Sequence, residues 1–111
     1  MEIEIYWSTL AKQQLKDIAL YVAQHFGERI AIRSLNRISE KVEKLYSFPE
    51  SGIYDKKYST DLYTVRHLIL SPNVVYYIQT GNRITIMAVM HERQSPKTIW
   101  DSIHQFIEHH S

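Results

Sequence analysis

The spacing of apolar residues changes along this chain, and each change predicts an element. Residues 2–7 alternate, with Ile3 and Ile5 on one side and Glu2, Glu4 and Tyr6 on the other, the period of a half-buried strand. Ser8 stands where an N-cap belongs, because its hydroxyl can accept from the free amides of a first helical turn. From there Ala11, Leu15, Ile18, Val22 and Phe26 recur at intervals of four, three, four and four, one face of a helix that Gly27 ends. Ala31, Leu35, Ile38, Val42 and Leu45 repeat the pattern at four, three, four and three, so the two helices form an αα-hairpin around a single glycine. The segment Phe48-Pro49-Glu50-Ser51-Gly52 closes it, since proline disfavours helical geometry in the residue before it and glycine permits a turn.

Residues 53–61, IYDKKYSTD, have no apolar period and predict a loop carrying the adjacent lysines Lys56 and Lys57. The stretch from Leu62 to Gln94 then reads as three consecutive strands, broken at the turn triplet Ser71-Pro72-Asn73 and at Gly81-Asn82, where glycine supplies a positive φ at no steric cost. A two-residue loop at Gly81-Asn82 pairs Thr80 with Arg83, Tyr77 with Ile86 and Tyr76 with Met87. A two-residue turn at Ser71-Pro72 sets Arg66 opposite Tyr77 and His67 opposite Tyr76. Strict alternation puts Leu62, Arg66, Leu68, Leu70, Val75, Tyr77, Ile84, Ile86, Ala88 and Met90 on one face, and Tyr63, Val65, His67, Ile69, Val74, Tyr76, Ile78, Met87, Val89 and His91 on the other. Both faces are largely apolar, which predicts a sheet covered on both sides. The helical hairpin covers one. Residues 97–108, with Ile99, Trp100, Ile103, Phe106 and Ile107 after the punctuation Ser95-Pro96, predict an amphipathic helix that either folds over the sheet or presents Trp100 to a partner.

The fold class that follows is α+β: an N-terminal strand and helical hairpin packed on an antiparallel meander, with a C-terminal helical extension over residues 95–111. At 111 residues the chain predicts a single domain, 1–111, with enough core to fold without staples. There are no cysteines, so disulfides and thiolate metal sites do not arise. Thirteen Lys and Arg against 12 Asp and Glu leave a formal charge of +1, so a basic site has to be local. The opening MEIEIYWS lacks the character of a signal peptide, and no run approaches the ~20 apolar residues of a membrane span; the expectation is a soluble cytoplasmic protein. Of eight tyrosines, Tyr54, Tyr58, Tyr63, Tyr76 and Tyr77 cluster in and before the sheet, where strand packing outweighs base stacking as their reading.

Phosphate loops, paired-histidine metal motifs and nucleophile elbows are absent from the sequence, and the six histidines make no metal-ligand spacing, so no cofactor or metal is expected. Arg66 lies mid-strand among apolar residues, where a guanidinium needs a partner or a cleft. An ion pair to a helical carboxylate or stacking on Tyr77 competes there with a ligand-binding role. His91 and Arg93 follow the last strand at the sheet rim; an imidazole for proton transfer and a guanidinium for phosphorane-like charge suit RNA cleavage.

The order of these pieces resembles the RelE/ParE superfamily of bacterial toxins from type II toxin-antitoxin modules. It is carried by Trp7-Ser8, Ala11, Leu15, Ile18, Tyr21, Ala31, Ile38, Leu45, Phe48-Pro49, Gly52, Val65-Arg66, Val75-Tyr76-Tyr77-Ile78, and Ile84 through Val89 with His91 and Arg93. The resemblance implies either of two activities. RelE-like members cleave ribosome-bound mRNA, whereas ParE-like members act on DNA gyrase without a known nuclease site. The W-S and A-x-x-x-L-x-x-I-x-x-Y opening and the long hairpin are of the ParE kind. Asn73-Val74 stands where the RNases carry Tyr-Arg, and Ser95-Pro96-Lys97-Thr98-Ile99-Trp100 lacks their late tyrosine. The implied function is therefore gyrase inhibition rather than catalysis. The RNase alternative would use His91, Arg66, Arg93, Lys56 and Lys57, with ribosome and mRNA as target; an inactive homologue that acts only as a binding partner is a third reading. For the toxin readings, the surface that meets target or antitoxin would include Arg66, His91, Arg93 and Trp100. The implied partner is a ParD-like antitoxin, bound as a helix in a groove or as an added strand, with operator DNA contacted only through that antitoxin.

Overall fold

In the computed structural model the described residues are 2–94, Lys97, Trp100, Asp101, 103–105 and Glu108. The elements are β1 (Glu4–Trp7), α1 (Thr9–Phe26), α2 (Glu28–Glu43), a 3₁₀ turn (Lys44–Tyr46), β2 (Ile53–Tyr54), β3 (Thr64–Leu70), β4 (Asn73–Thr80) and β5 (Arg83–His91). Ser8 caps α1 as its sequence position requires, accepting from the Ala11 amide at 3.0 Å. Gly27, at φ 94°, ends α1 and starts α2, a backbone angle at which any side chain would be strained. Leu45 falls in the 3₁₀ turn rather than in α2, yet is fully buried as the helical spacing demanded.

Among the described residues five strands form one sheet in the order β1-β5-β4-β3-β2. The meander register holds from Thr64↔Gln79 to Leu70↔Asn73 and from Thr80↔Arg83 to Tyr77↔Ile86, and the two-residue turn between β3 and β4 contains a cis Ser71–Pro72 peptide. The meander is antiparallel as expected, and β1, to which the sequence assigned no partner, joins it parallel to β5, with Glu4↔Arg83 and Trp7↔Ile86. The helical hairpin carries the chain from the β1 edge to the opposite edge, and the strands then reverse three times to bring β5 back beside β1 in the same direction.

Three expectations are corrected. Strand pairing begins at Thr64 rather than Leu62: Ser59 Oγ accepts from the Val65 amide at 2.9 Å and its loop takes that end of the strand, leaving Leu62 84 % exposed. Residues 53–61 are not all loop, because Ile53 and Tyr54 pair with His67 and Arg66 and extend the sheet by a short edge strand. Most consequential, Tyr76 pairs with Ala88 and not with Met87, because a bulge intervenes after Tyr77↔Ile86. One extra residue resets the alternation. Val89 and His91 therefore move to the face with Ile84 and Ile86, while Ala88 and Met90 join Met87 on the other.

Both faces are covered. The first packs Leu68, Leu70, Val75, Tyr77, Ile84, Ile86 and Val89 against Ala11, Ile38, Val42 and Leu45, with Leu15 and Ile18 at its margin. The second gathers Tyr58, Val65, Tyr76, Ile78, Met87, Ala88 and Met90 under Ile103. Lys97, Trp100, Asp101, 103–105 and Glu108 are helical. Of the two placements open to this segment, it takes the one over the sheet, burying Ile103 to 1 % exposure. Ser95, Pro96, Ile99, Phe106, Ile107, His109 and His110 lie outside the described residues.

Candidate binding groove

The α hairpin crosses only part of the first face. Beyond it, where β5 runs on to His91, Ile18, Tyr21, Val22, Phe26 and Ile30 of the helices face Asn73, Val89 and His91 of the sheet across a groove of about 760 Å³. Phe26 is 64 % exposed and Tyr21 58 %, although the helical period assigns Phe26 to the inner face. That stripe outruns the sheet it should cover, so its last turn forms a wall instead of a core. An apolar concavity with so much aromatic surface in water is the expected form of a docking site. The groove also holds Gln14, whose side-chain carbonyl accepts from the Val89 amide at 2.7 Å, and Gln94, which accepts from the His91 amide at 2.8 Å.

His91 is thus brought into the groove by the bulge. Arg93 is exposed in the turn after β5, its amide donating to His91 Nδ1 at 3.0 Å. Arg66 lies on the same sheet face but elsewhere. Its pairing partner Tyr77 and that of His91, Asn73, are four positions apart on β4, and β3 and β5 are two strand spacings apart. The separation is about 16 Å at ~3.3 Å per residue and ~4.8 Å per strand.

Arg66 is occupied by structure. Its guanidinium donates to the Gly52 carbonyl at 3.1 Å and the Glu50 carbonyl at 3.4 Å and lies 5.9 Å from the centre of the Tyr54 ring. The ion pair to a helical carboxylate that the sequence suggested is replaced by backbone carbonyls of the loop after α2. Tyr77 holds the same loop, donating to the Pro49 carbonyl at 2.8 Å and accepting from the Gly52 amide at 2.9 Å. Burial pushes its hydroxyl pKa up, partly offset by the Gly52 amide and Arg66. Gly52 is required there, because a Cβ would sit 2.5 Å from the Tyr77 hydroxyl oxygen.

Lys56 and Lys57 are exposed in the turn after β2, Lys57 lying 5.8 Å from the centre of the Tyr58 ring. The five residues of a nuclease reading therefore fall in two regions: Arg66 with Lys56 and Lys57, which follow its pairing partner Tyr54 by two and three residues, and His91 with Arg93 after β5. On the second face Trp100 stacks on Tyr58 at 5.9 Å and on His104 at 5.5 Å, 39 % exposed. Nearby, Asp55, 9 % exposed, meets His67 Nδ1 at 3.0 Å. Burial, with the Tyr58 and Asp55 charges, pushes the Tyr76 hydroxyl up to about 12. Neither Asp55 nor the glutamine caps were singled out from sequence. For Gln14 a signal existed: three residues after Ala11 and four before Ile18, it lies on the inner face of α1.

Residues 5–96 match the family model described as ParE toxin of type II toxin-antitoxin system, parDE. This chain belongs to the ParE toxin family. Among solved structures it is similar to a chain of the chromosomal ParDE TA system from P. aeruginosa, with a TM-score of 0.68 and 21 % identity over 80 % of this chain and 95 % of that one. At that identity the likeness is one of fold. No curated protein matches the chain. The ParE match takes in the groove, the 48–52 loop and all of the sheet but Glu4, and stops before the helical segment that carries Trp100 and Ile103.

Proposed function

We propose that this ParE-family toxin inhibits DNA gyrase and is neutralised by a small ParD-like antitoxin that occupies the groove between the hairpin and the end of β5. The observation that carries the gyrase reading is the dispersal of the polar residues. Phosphodiester cleavage needs proton-transfer and charge-stabilising groups converging within hydrogen-bond reach of one phosphate. Here Arg66, whose backbone stands about 16 Å from that of His91 at ~3.3 Å per residue and ~4.8 Å per strand, is spent on loop carbonyls, and Lys56 and Lys57 belong to the β2 turn. A formal charge of +1 also favours a protein target over a polyanionic ribosome. The antitoxin reading rests on family membership and on the exposed apolar groove. The toxin would act in the cytoplasm, and any operator DNA would be bound through the antitoxin.

The test is a supercoiling assay with the purified chain beside a translation assay on ribosome-bound mRNA. Loss of gyrase supercoiling with intact mRNA is expected. Codon-specific mRNA cleavage abolished by His91→Ala would replace the proposal with the ribonuclease reading.

A further inference from the structure

On the second sheet face, the loop between β2 and β3 and the C-terminal helical segment enclose a cavity of about 370 Å³. It is separate from the groove beside β5, and its helical wall lies past residue 96, where the ParE match ends. Tyr58, Tyr63, Trp100 and His104 line it with rings, above the buried Ile103. The loop wall is held by its own bonds. Thr60 and Tyr63 exchange backbone hydrogen bonds at 3.0 and 3.3 Å, and the Leu62 amide donates to Thr60 Oγ1 at 3.2 Å.

Asp61, the second residue of that turn, carries the one formal charge of the lining, taking histidine as neutral. It is exposed, and among the described residues it makes no ion pair. The carboxylates of the helical wall are engaged, Asp101 with Lys97 at 2.9 Å and Glu108 with His104 at 3.0 Å. Aromatic faces are negative and attract cations, so the rings and the Asp61 carboxylate select the same sign of ligand. The chain itself follows this preference, setting the Lys57 ammonium 5.8 Å from the centre of the Tyr58 ring. A guanidinium suits the cavity better than an ammonium. It is flat enough to lie against rings, weakly hydrated enough to enter an apolar site, and its fork can pair with one carboxylate through two hydrogen bonds. Ligand cavities start at about 300 Å³, so this one has room for such a head and a short alkyl stem. Leu62, 84 % exposed at the rim, offers the stem an apolar contact.

We propose that this cavity is a binding site for a guanidinium group on an alkyl stem, its head against Tyr58 and Trp100, its charge paired with Asp61 and its stem across Leu62. A free alkylguanidine and an arginine side chain of a polypeptide share this chemistry. The site stands apart from the gyrase and antitoxin readings and depends on neither.

The test follows the indole N–H signals of the full ¹⁵N-labelled chain as butylguanidinium is added at constant ionic strength. The Trp100 signal should shift and saturate with a Kd on the order of 1 mM, while that of Trp7, which packs on the first face, stays in place. Asp61→Asn, a change at an exposed side chain, should weaken binding about fivefold, and butylurea, uncharged and of the same shape, should bind the unaltered chain weaker by about the same factor. The tripeptide acetyl-Gly-Arg-Gly-amide separates the two sources. Tighter binding of the tripeptide than of butylguanidinium supports a site for an arginine side chain, and the reverse order supports a site for a free alkylguanidine. Butylurea binding as tightly as butylguanidinium, an Asp61→Asn variant of unchanged affinity, or the lack of any saturable Trp100 shift would overturn the proposal.

Discussion

At the scale of single residues, the loop after α2 shows how a local motif depends on distant partners. Tyr77 and Arg66 together meet the Gly52 amide and the carbonyls of Pro49, Glu50 and Gly52. Tyr77→Phe leaves the buried Gly52 amide unpaired and should cost about 1–3 kcal/mol, read as a lower urea midpoint at unchanged slope. Gly52→Ala should cost a similar amount, about 1–3 kcal/mol, since the added Cβ meets a ring that is fully buried. Arg66→Met should cost about 1 kcal/mol, less because part of that side chain remains in water, and should leave gyrase inhibition intact at equal folded concentration. Tyr76 makes stability pH-dependent. Its hydroxyl is held to about 12 in the fold, against an ordinary tyrosine value of 10.0. The folded chain keeps that proton longer, so the contribution is whole below pH 10 and drains away as pH rises toward 12. Thermal melts across that window should fall steeply, and less steeply for Tyr76→Phe. The sequence marked Phe48-Pro49 and Gly52 as punctuation and Arg66 as a buried charge in need of a partner. It could not join them, because the bonds between them span 14 to 28 residues.

At the scale of elements, the bulge on β5 is the decisive departure. Turn chemistry at Gly81-Asn82 set the register correctly for the first half of the hairpin, through Tyr77↔Ile86. Beyond it one unpaired residue exchanged the faces of Val89 and His91 with those of Ala88 and Met90. Since all but His91 are apolar, hydropathy alone registers no error in either arrangement. His91 is the residue whose role changes, from the second face to the groove. The C-terminal segment is the other element whose placement was open. Ile103 is buried in one cluster with Tyr58, Tyr76 and Met87, so Ile103→Ala should cost about 2–3 kcal/mol and red-shift Trp100 emission as its stack on Tyr58 loosens. A variant with unchanged stability and emission would show that the segment does not cover this face in solution.

At the scale of the whole molecule, the fold divides its labour between two apolar faces. The second is closed by the C-terminal helical segment through Ile103; the first is closed by the hairpin only as far as Ile18 and Val22, leaving the groove at its end. Phe26 forms the outer wall and contributes little to the core, so Phe26→Ala should leave the melting curve unchanged while weakening antitoxin binding about tenfold, as titration calorimetry would show. Residue order alone carries the succession of elements, the two amphipathic helices with their Ser8 and Gly27 boundaries, the tight turns of the meander, the need to cover both sheet faces and the resemblance to ParE toxins. Those features are written in spacing and turn chemistry, which act between near neighbours and survive without a fold. The parallel β1–β5 pairing, the face of His91, the dispersal of the basic residues and the glutamine caps on the open β5 edge came from the folded chain. Each of these rests on contacts such as Ser8 with Met87, 79 residues apart, or Gln14 with Val89, 75 apart. No local period encodes such contacts.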